Sequence, residues 1–292
     1  MSNIAQEIWS QPACWQEAVR LAPGAVDDLP GQGERIAAVG CGTSLYVAQA
    51  YAAQREAAGH GASDAFPASE FPARRSYDRV VALSRSGTTT EVVRLLEGLG
   101  GGVGTVAVSA VSESPVATAA GAVVVLEFAD ERSVVQTRFA TTTLALLRSH
   151  AGEDLSRTIS DGETALRSEI PADPASFDHF VFLGRGWTVG LANEAALKMR
   201  EATGSWAESY PAMEYRHGPI SVAGERSLVW TLGDVEDDIV RDVGRTGATV
   251  VRGELDPMAE LVRVQRMAVA LAEVKGLDPD HPRHLTRSVV LS

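Results

Sequence analysis

The sequence predicts an α/β protein of two tandem domains, each a parallel sheet flanked by helices, and three observations carry that expectation. Short apolar runs alternate with helical stretches through most of the chain, the pattern of parallel strands joined by crossover helices. An early strand, Arg35-Ile36-Ala37-Ala38-Val39, runs through the turn Gly40-Cys41-Gly42-Thr43-Ser44 into an alanine-rich helix from Leu45 to about Ala58. That is the building unit of a doubly wound fold, whose ligands sit at strand C-termini. The unit recurs 144 residues later as Phe180-Val181-Phe182-Leu183, the turn Gly184-Arg185-Gly186-Trp187-Thr188 and a helix from Leu191 to about Ala202, so the chain reads as an internal duplication.

Taken in order, Ile4 to about Leu21 reads as one amphipathic helix with Ile8, Trp9 and Trp15 on its apolar side. Residues 22–33 are a linker by their Pro and Gly content. The first strand follows, and its turn is not a dinucleotide fingerprint because the third glycine is missing. Ala65 to Phe71 reads as a short second strand and Val80 to Leu83 as a third. Gly104 to Ser109 and Ala120 to Leu126 complete a five-stranded parallel sheet, before a helix from Thr141 to about His150. The polar stretch from Gly152 to Pro174 is the expected boundary. It divides the chain into an N-terminal helix and linker (1–33), a first domain (34–151) and a second domain with a C-terminal tail (175–292).

The third strand ends in Ser84-Arg85-Ser86-Gly87-Thr88-Thr89 and leads into a helix with Val92, Val93, Leu95 and Leu96 as its apolar positions. Ser84, Ser86, Thr88 and Thr89 put hydroxyls where the open N–H groups of a new helix point, an arrangement suited to a phosphate. Helix capping alone would need one hydroxyl; four around a glycine favour an anion site. Arg85 is divided between a phosphate contact and a solvent-facing side chain. The matching place in the second half carries Asp234, Glu236, Asp237 and Asp238, which would repel a phosphate, so one phosphate site per chain is expected.

Composition narrows the classes of partner. The chain has 292 residues, is 45% hydrophobic and carries a net charge of −12, so a nucleic-acid partner is not expected and an anionic ligand must be held locally. Lys198 and Lys275 are the only lysines. Cys14 and Cys41 are isolated, with neither metal spacing nor a disulfide framework, and Cys41 reads as a packing residue. His281 and His284 lack a carboxylate partner at metal-ligand spacing. No metal or organic cofactor is expected. The N-terminus has no apolar signal core and no run reaches membrane-spanning length, so a soluble cytoplasmic protein is expected. On the second-half helix, Glu194, Lys198 and Glu201 fall at i, i+4 and i+7 and share a face. That is either a solvated ion-pair ladder or catalytic machinery.

Several separated motifs point further. They are Gly40 to Ser44, Ser84 to Thr89, Glu131 to Phe139, Glu194-Ala195-Ala196-Leu197-Lys198-Met199-Arg200-Glu201, Glu214-Tyr215-Arg216-His217-Gly218-Pro219, and Pro282-Arg283-His284-Leu285-Thr286-Arg287-Ser288-Val289. With these the chain, from about residue 34 to its end, resembles the sugar isomerase (SIS) domain proteins. It resembles specifically the two-domain isomerase part of glucosamine-6-phosphate synthase and related amino-sugar-phosphate isomerases and deaminases. The resemblance implies flavodoxin-like domains with the C-terminal tail folded over the first site. It implies aldose–ketose isomerisation of a phosphorylated hexose or hexosamine, or deamination of an amino-sugar 6-phosphate, through an enediol or enolamine.

By the same resemblance Gly42, Thr43, Ser44, Ser84, Arg85, Ser86, Thr89 and Val134 bind the phosphosugar, Glu201 transfers the proton, and Lys198 approaches the sugar or pairs with its glutamates. His217 opens the ring from a neighbouring subunit, which implies a homodimer with shared sites. Two departures matter. The family's imine-forming lysine falls on Arg287, and a guanidinium stays protonated and forms no imine. Covalent chemistry would then fall to Lys198 or Lys275. The chain also begins almost at once with the sugar domains, so glutaminase activity is not expected. A competing reading is a phosphosugar-binding sensor without catalysis; retention of both Glu201 and His217 favours the enzyme.

Overall fold

A strand covered by helices on both faces must be apolar throughout, and Ile36–Gly40 and Ser227–Leu232 are buried at every position. They are central strands of two separate parallel sheets in the computed structural model, which describes residues 2–291. In chain order the elements are α1 (Asn3–Trp9), α2 (Gln11–Leu21), β1 (Ile36–Gly40), α3 (Thr43–Ala57), β2 (Ser63–Pro67), β3 (Arg79–Ser84), α4 (Thr90–Leu99), β4 (Gly104–Ser109), α5 (Pro115–Ala119) and β5 (Ala122–Val125). After them come α6 (Arg138–His150), α7 (Ser156–Arg167), β6 (His179–Gly184), α8 (Thr188–Thr203), β7 (Trp206–Pro211), β8 (Ser227–Leu232), α9 (Asp237–Gly244), β9 (Thr249–Val251) and α10 (Pro257–Val274).

Two units result, neither of them contiguous in sequence. One comprises Ala13–Arg132, Gln136–Leu155 and Thr286–Ser292; its sheet has the order β2-β1-β3-β4-β5. Its core joins Val39, Val80 and Ala82 of the sheet to Val92 and Leu96 of α4. The other comprises Met1–Pro12, Ser133–Val135 and Ser156–Leu285, with the order β7-β6-β8-β9. Its core joins Val181, Leu183 and Val229 to Ile239 and Val243 of α9. The division therefore differs from a linear 1–33, 34–151 and 175–292: the last residues go with the five-stranded unit and the first with the four-stranded one.

Local chemistry explains the differences from the expected elements. The single N-terminal helix is two, because Ser10 caps α1 through its backbone N–H and Pro12 has no N–H to continue the ladder but is well placed in a new first turn. The second strand begins earlier and stops at Pro67, paired Ser63 to Ile36 and Pro67 to Gly40, and a 3-10 turn follows over Ala68–Glu70. The supposed boundary loop holds α7, whose buried positions are Thr158, Gly162, Ala165 and Leu166. They line one helical face, and its otherwise polar composition concealed it. Strand β7 was not expected: Glu208, Ser209 and Tyr210 break its apolar pattern, and it lies at a sheet edge.

Each sheet brings its first helix close against its first strand in the same way. A Cβ on Gly40 would lie 2.6 Å from the backbone carbonyl carbon of Ser44, and one on Gly184 2.5 Å from that of Thr188. Both positions need a residue without a side chain for steric reasons. We expect Gly40→Ala to cost about 1–3 kcal/mol of stability through forced backbone displacement. Urea denaturation checks this; an unchanged midpoint would contradict the close approach.

Candidate active site

In the order β2-β1-β3-β4-β5 the chain reverses its direction of growth between β1 and β3, which are hydrogen-bonded neighbours in register from Ile36–Arg79 to Val39–Ala82. Ligands of open parallel sheets bind outside the strand C-termini at that point. The two turns that leave it are Gly40 to Ser44 and Ser84 to Thr89. Gly42 has φ +55° and caps α3, whose first residues, Thr43 and Ser44, are buried. Thr89 caps α4 through its backbone while its hydroxyl makes no capping bond. Ser84 Oγ is buried without a hydrogen-bond partner among the described residues. A buried hydroxyl left in that state costs free energy that an anionic oxygen would offset.

The C-terminal tail runs over the same turn. Thr88 Oγ1 donates to Ser288 Oγ at 2.8 Å, and Ser86 Oγ lies 3.1 Å from Ser288 Oγ. Thr90 N–H donates to the Val289 carbonyl at 3.2 Å, and Leu291 N–H to Thr90 Oγ1 at 2.9 Å. Arg85 is 1% exposed, donates to the Arg287 carbonyl at 2.6 Å and faces the Glu131 carboxylate at 3.8 Å. Of its two open readings, solvent exposure is excluded. Glu131, equally buried, caps α6: one carboxylate oxygen accepts from the N–H groups of Thr137 and Arg138 and from the Thr137 hydroxyl. Arg287 donates to the Glu131 carbonyl at 3.1 Å and pairs with Asp130 at 2.5 Å. It thus secures the tail as well as carrying charge beside the turn. Val134 is grouped with the four-stranded unit, and its N–H donates to the Asp280 carbonyl at 3.3 Å.

In the four-stranded unit the helical ladder is real and unevenly exposed. Lys198 is 1% exposed and lies 3.3 Å from Glu194 and 2.5 Å from Glu201. Glu194 is buried, whereas the Glu201 side chain keeps 20% of its surface. Glu201 lines a cavity of about 650 Å³, together with Arg200, Asp278, His281, Arg283 and His284. This is no solvated surface ladder: a buried ammonium neutralises one buried carboxylate and orients a second that opens into a cavity. Lys275 donates to the Thr203 carbonyl and the Ser205 hydroxyl at the end of α8. Neither lysine is a free amine.

His284, weighed in the sequence only as a metal ligand, lines this cavity. It is the non-glycine residue with positive φ, at +64°, among the described residues. His281 donates its Nδ1–H to the Asp278 carboxylate at 2.9 Å, and no group of three or more metal-ligating side chains forms among the described residues. His217 is exposed on a short loop and does not line the Glu201 cavity. The loop is anchored by Arg216, which pairs at 2.8 Å with both Asp238 and Asp242 of α9. The acidic run is therefore an ion-paired face. Glu236 pairs with Arg185 at 3.1 Å, leaving the turn after β8 without a hydroxyl cradle. Burial raises the Cys41 thiol, and the nearby Glu91 carboxylate adds to the effect, in keeping with a packing role.

No protein-family model matches the chain. An isomerizing glutamine–fructose-6-phosphate aminotransferase of Sulfurisphaera tokodaii is 26% identical over 298 residues, which cover 88% of this chain and 50% of the relative. The crystal structure of glucosamine-6-phosphate deaminase from Thermotoga maritima superposes with a TM-score of 0.84 at 26% identity, over 99% of this chain and 100% of that one. The chain is thus similar to isomerizing aminotransferases and to a sugar-phosphate deaminase. The tagatose-6-phosphate ketose/aldose isomerase of Escherichia coli has the same fold, with a TM-score of 0.81 at 19% identity over 96% of each chain. The chain spans about half the length of the curated relatives it matches. No helix among its described residues is long and apolar enough to cross a membrane.

The buried Arg85–Glu131 pair gives a direct test of how the tail is held. Removing one partner of a buried pair leaves the other charge uncompensated, so Arg85→Met is expected to cost about 3–5 kcal/mol. It should also speed proteolytic removal of the last residues, because the bond to the Arg287 carbonyl is lost. A tail as protease-resistant as in the parent protein would contradict this.

Proposed function

We propose that this chain interconverts the aldose and ketose forms of a phosphorylated hexose or hexosamine, and that an amino-sugar 6-phosphate would lose ammonia by the same steps. The observation that carries the reading is Glu201, fixed by a buried lysine at 2.5 Å yet open to a cavity of about 650 Å³. A positioned, accessible carboxylate is what proton transfer next to a hydroxyl-bearing carbon requires. Similarity to an isomerizing aminotransferase and a deaminase supports the same substrate class.

In this reading the phosphate is held by the two helix N-termini at β1 and β3 and by the hydroxyls of Ser44, Ser84, Ser86 and Thr89. Glu201 removes the proton from one of the two carbons C1 and C2 and returns it to the other. Lys198 stays protonated between its glutamates and sets the orientation of Glu201. Arg287 stabilises negative charge on the developing enediolate oxygen; it forms no imine, so the sugar reacts as a free open chain. These steps call for no metal and no glutamine. His217, exposed on an anchored loop, completes the site of a second copy, opening its sugar ring in a homodimer.

A panel of hexose and hexosamine 6-phosphates, assayed separately for ketose and ammonia, identifies the substrate. On it, Glu201→Gln should lose activity on the order of 10²-fold or more, and borohydride should trap no substrate adduct. Near-normal turnover in Glu201→Gln would defeat the catalytic reading and favour a binding protein. Ser86→Ala with Thr89→Ala should weaken phosphosugar binding by roughly 1.5–3 kcal/mol per lost charge-assisted bond. Calorimetry with unchanged affinity would remove the phosphate assignment.

A further inference from the structure

The five-stranded unit holds another polar cavity, of about 230 Å³, that none of the hydroxyl-turn residues lines. Its polar wall is Gln32 ahead of β1, Tyr51 and Arg55 of α3, His60 in the turn after α3, and His150 at the end of α6. Arg55 is 2% exposed. Its Nη1 donates to the carbonyls of Glu34 and Gly61 and to Ser63 Oγ, and its Nη2 to the Gly31 carbonyl, at 2.7–3.2 Å. All four acceptors are neutral. Buried guanidinium groups are ordinarily paired with an anion, yet no carboxylate pairs with Arg55 among the described residues.

The neighbouring carboxylates are committed elsewhere. Glu34 is gripped by two 3.0 Å bonds from Arg79, which with the field of Arg55 hold its carboxyl below the usual range. Glu56 accepts from the Ser63 N–H, and Glu153 pairs with Arg148. The side-chain charge left facing the cavity is therefore positive, offset only by the C-terminal dipoles of α3 and α6. Burial, followed by repulsion from Arg55 and His60, pushes the His150 imidazole below its ordinary range. Gln32 Oε1 sits 2.5 Å from His60 Nδ1, which sets that nitrogen as the donor. The Tyr51 hydroxyl is buried and has no acceptor among the described residues. Burial raises it to about 12, so it remains a donor at any working pH.

We propose that this cavity binds a small free oxyanion, held by Arg55, the Tyr51 hydroxyl and the imidazoles of His60 and His150. Its volume lies below the 300–1,000 Å³ of sites for larger ligands, which favours an inorganic ion over the phosphoryl group of a sugar. An anion favours the cationic form of His150. Binding therefore takes up a proton, raises that imidazole's pKa, and tightens as pH falls.

The test uses sulfate, whose charge does not change between pH 6 and 8, at ionic strength held constant with chloride, and follows the imidazole resonances by NMR. Sulfate should move the titration midpoint of His150 up by about one pH unit, corresponding to about tenfold tighter binding at low than at high pH. Tyr51→Phe, which removes one oxygen, should weaken sulfate at least about tenfold, and Arg55→Gln should abolish the effect. The Ser86→Ala, Thr89→Ala protein should retain it, separating this site from the hydroxyl turn. In that protein glucosamine 6-phosphate should leave both imidazoles unmoved. His60 and His150 resonances insensitive to sulfate, or equally sensitive to chloride, would overturn the proposal, as would a glucosamine 6-phosphate response stronger than that of sulfate.

Discussion

A guanidinium taken out of water must have its donors met by oxygen atoms, and a carboxylate buried with it must be met by N–H groups or a cation. Arg85 and Glu131 impose that condition on the ligand end of the five-stranded sheet. Arg85 follows β3, Glu131 precedes α6, and the Arg287 carbonyl that completes Arg85 belongs to the tail. Three segments far apart in sequence are thereby held around one turn. Arg287 returns the constraint by donating to the Glu131 carbonyl and pairing with Asp130. The hydroxyls of Ser86 and Thr88 bond both to each other within the turn and to Ser288 of the tail that this charge arrangement secures.

The four-stranded unit meets a related condition with a different result. Lys198 is buried between Glu194 and Glu201, so two acids share one base on a single helical face. The share of charge left over resides on the carboxylate with access to solvent, which is Glu201. An ion pair here adds little net stability once desolvation is counted. Its physical consequence is orientation. The same reasoning bears on Arg287, whose guanidinium can bind an oxygen but cannot be a nucleophile.

Much of the sheet was legible because strands buried on both faces leave an unbroken apolar run, as Ile36 to Val39 and Phe180 to Leu183 do. The glycine turns were legible because close helix approach admits no Cβ at Gly40 or Gly184. What stayed hidden was set by distant partners. Nothing local in Ser156–Arg167 marks a helix with a single narrow buried face, and Pro67 ends a strand that its composition would extend. The hydroxyl turn and the Glu194–Lys198–Glu201 spacing could be read directly, whereas their burial could not, since it depends on the tail and on the packing of α8 against neighbouring elements. Arg55 was passed over because an arginine late in a helix ordinarily faces water; here Gly31, Glu34 and Gly61 carbonyls close around it.

The account stands on proton transfer between adjacent sugar carbons by an accessible carboxylate, and solvent isotope incorporation measures that step most directly. Hexose and hexosamine 6-phosphates incubated with the protein in deuterium oxide can be followed by NMR at C1 and C2. Because Glu201 retains 20% of its surface, its proton exchanges with solvent, and the account predicts deuterium at the carbon that receives the proton, dependent on Glu201. Turnover of a substrate with no deuterium entering at either carbon, or incorporation undiminished in Glu201→Gln, would contradict it.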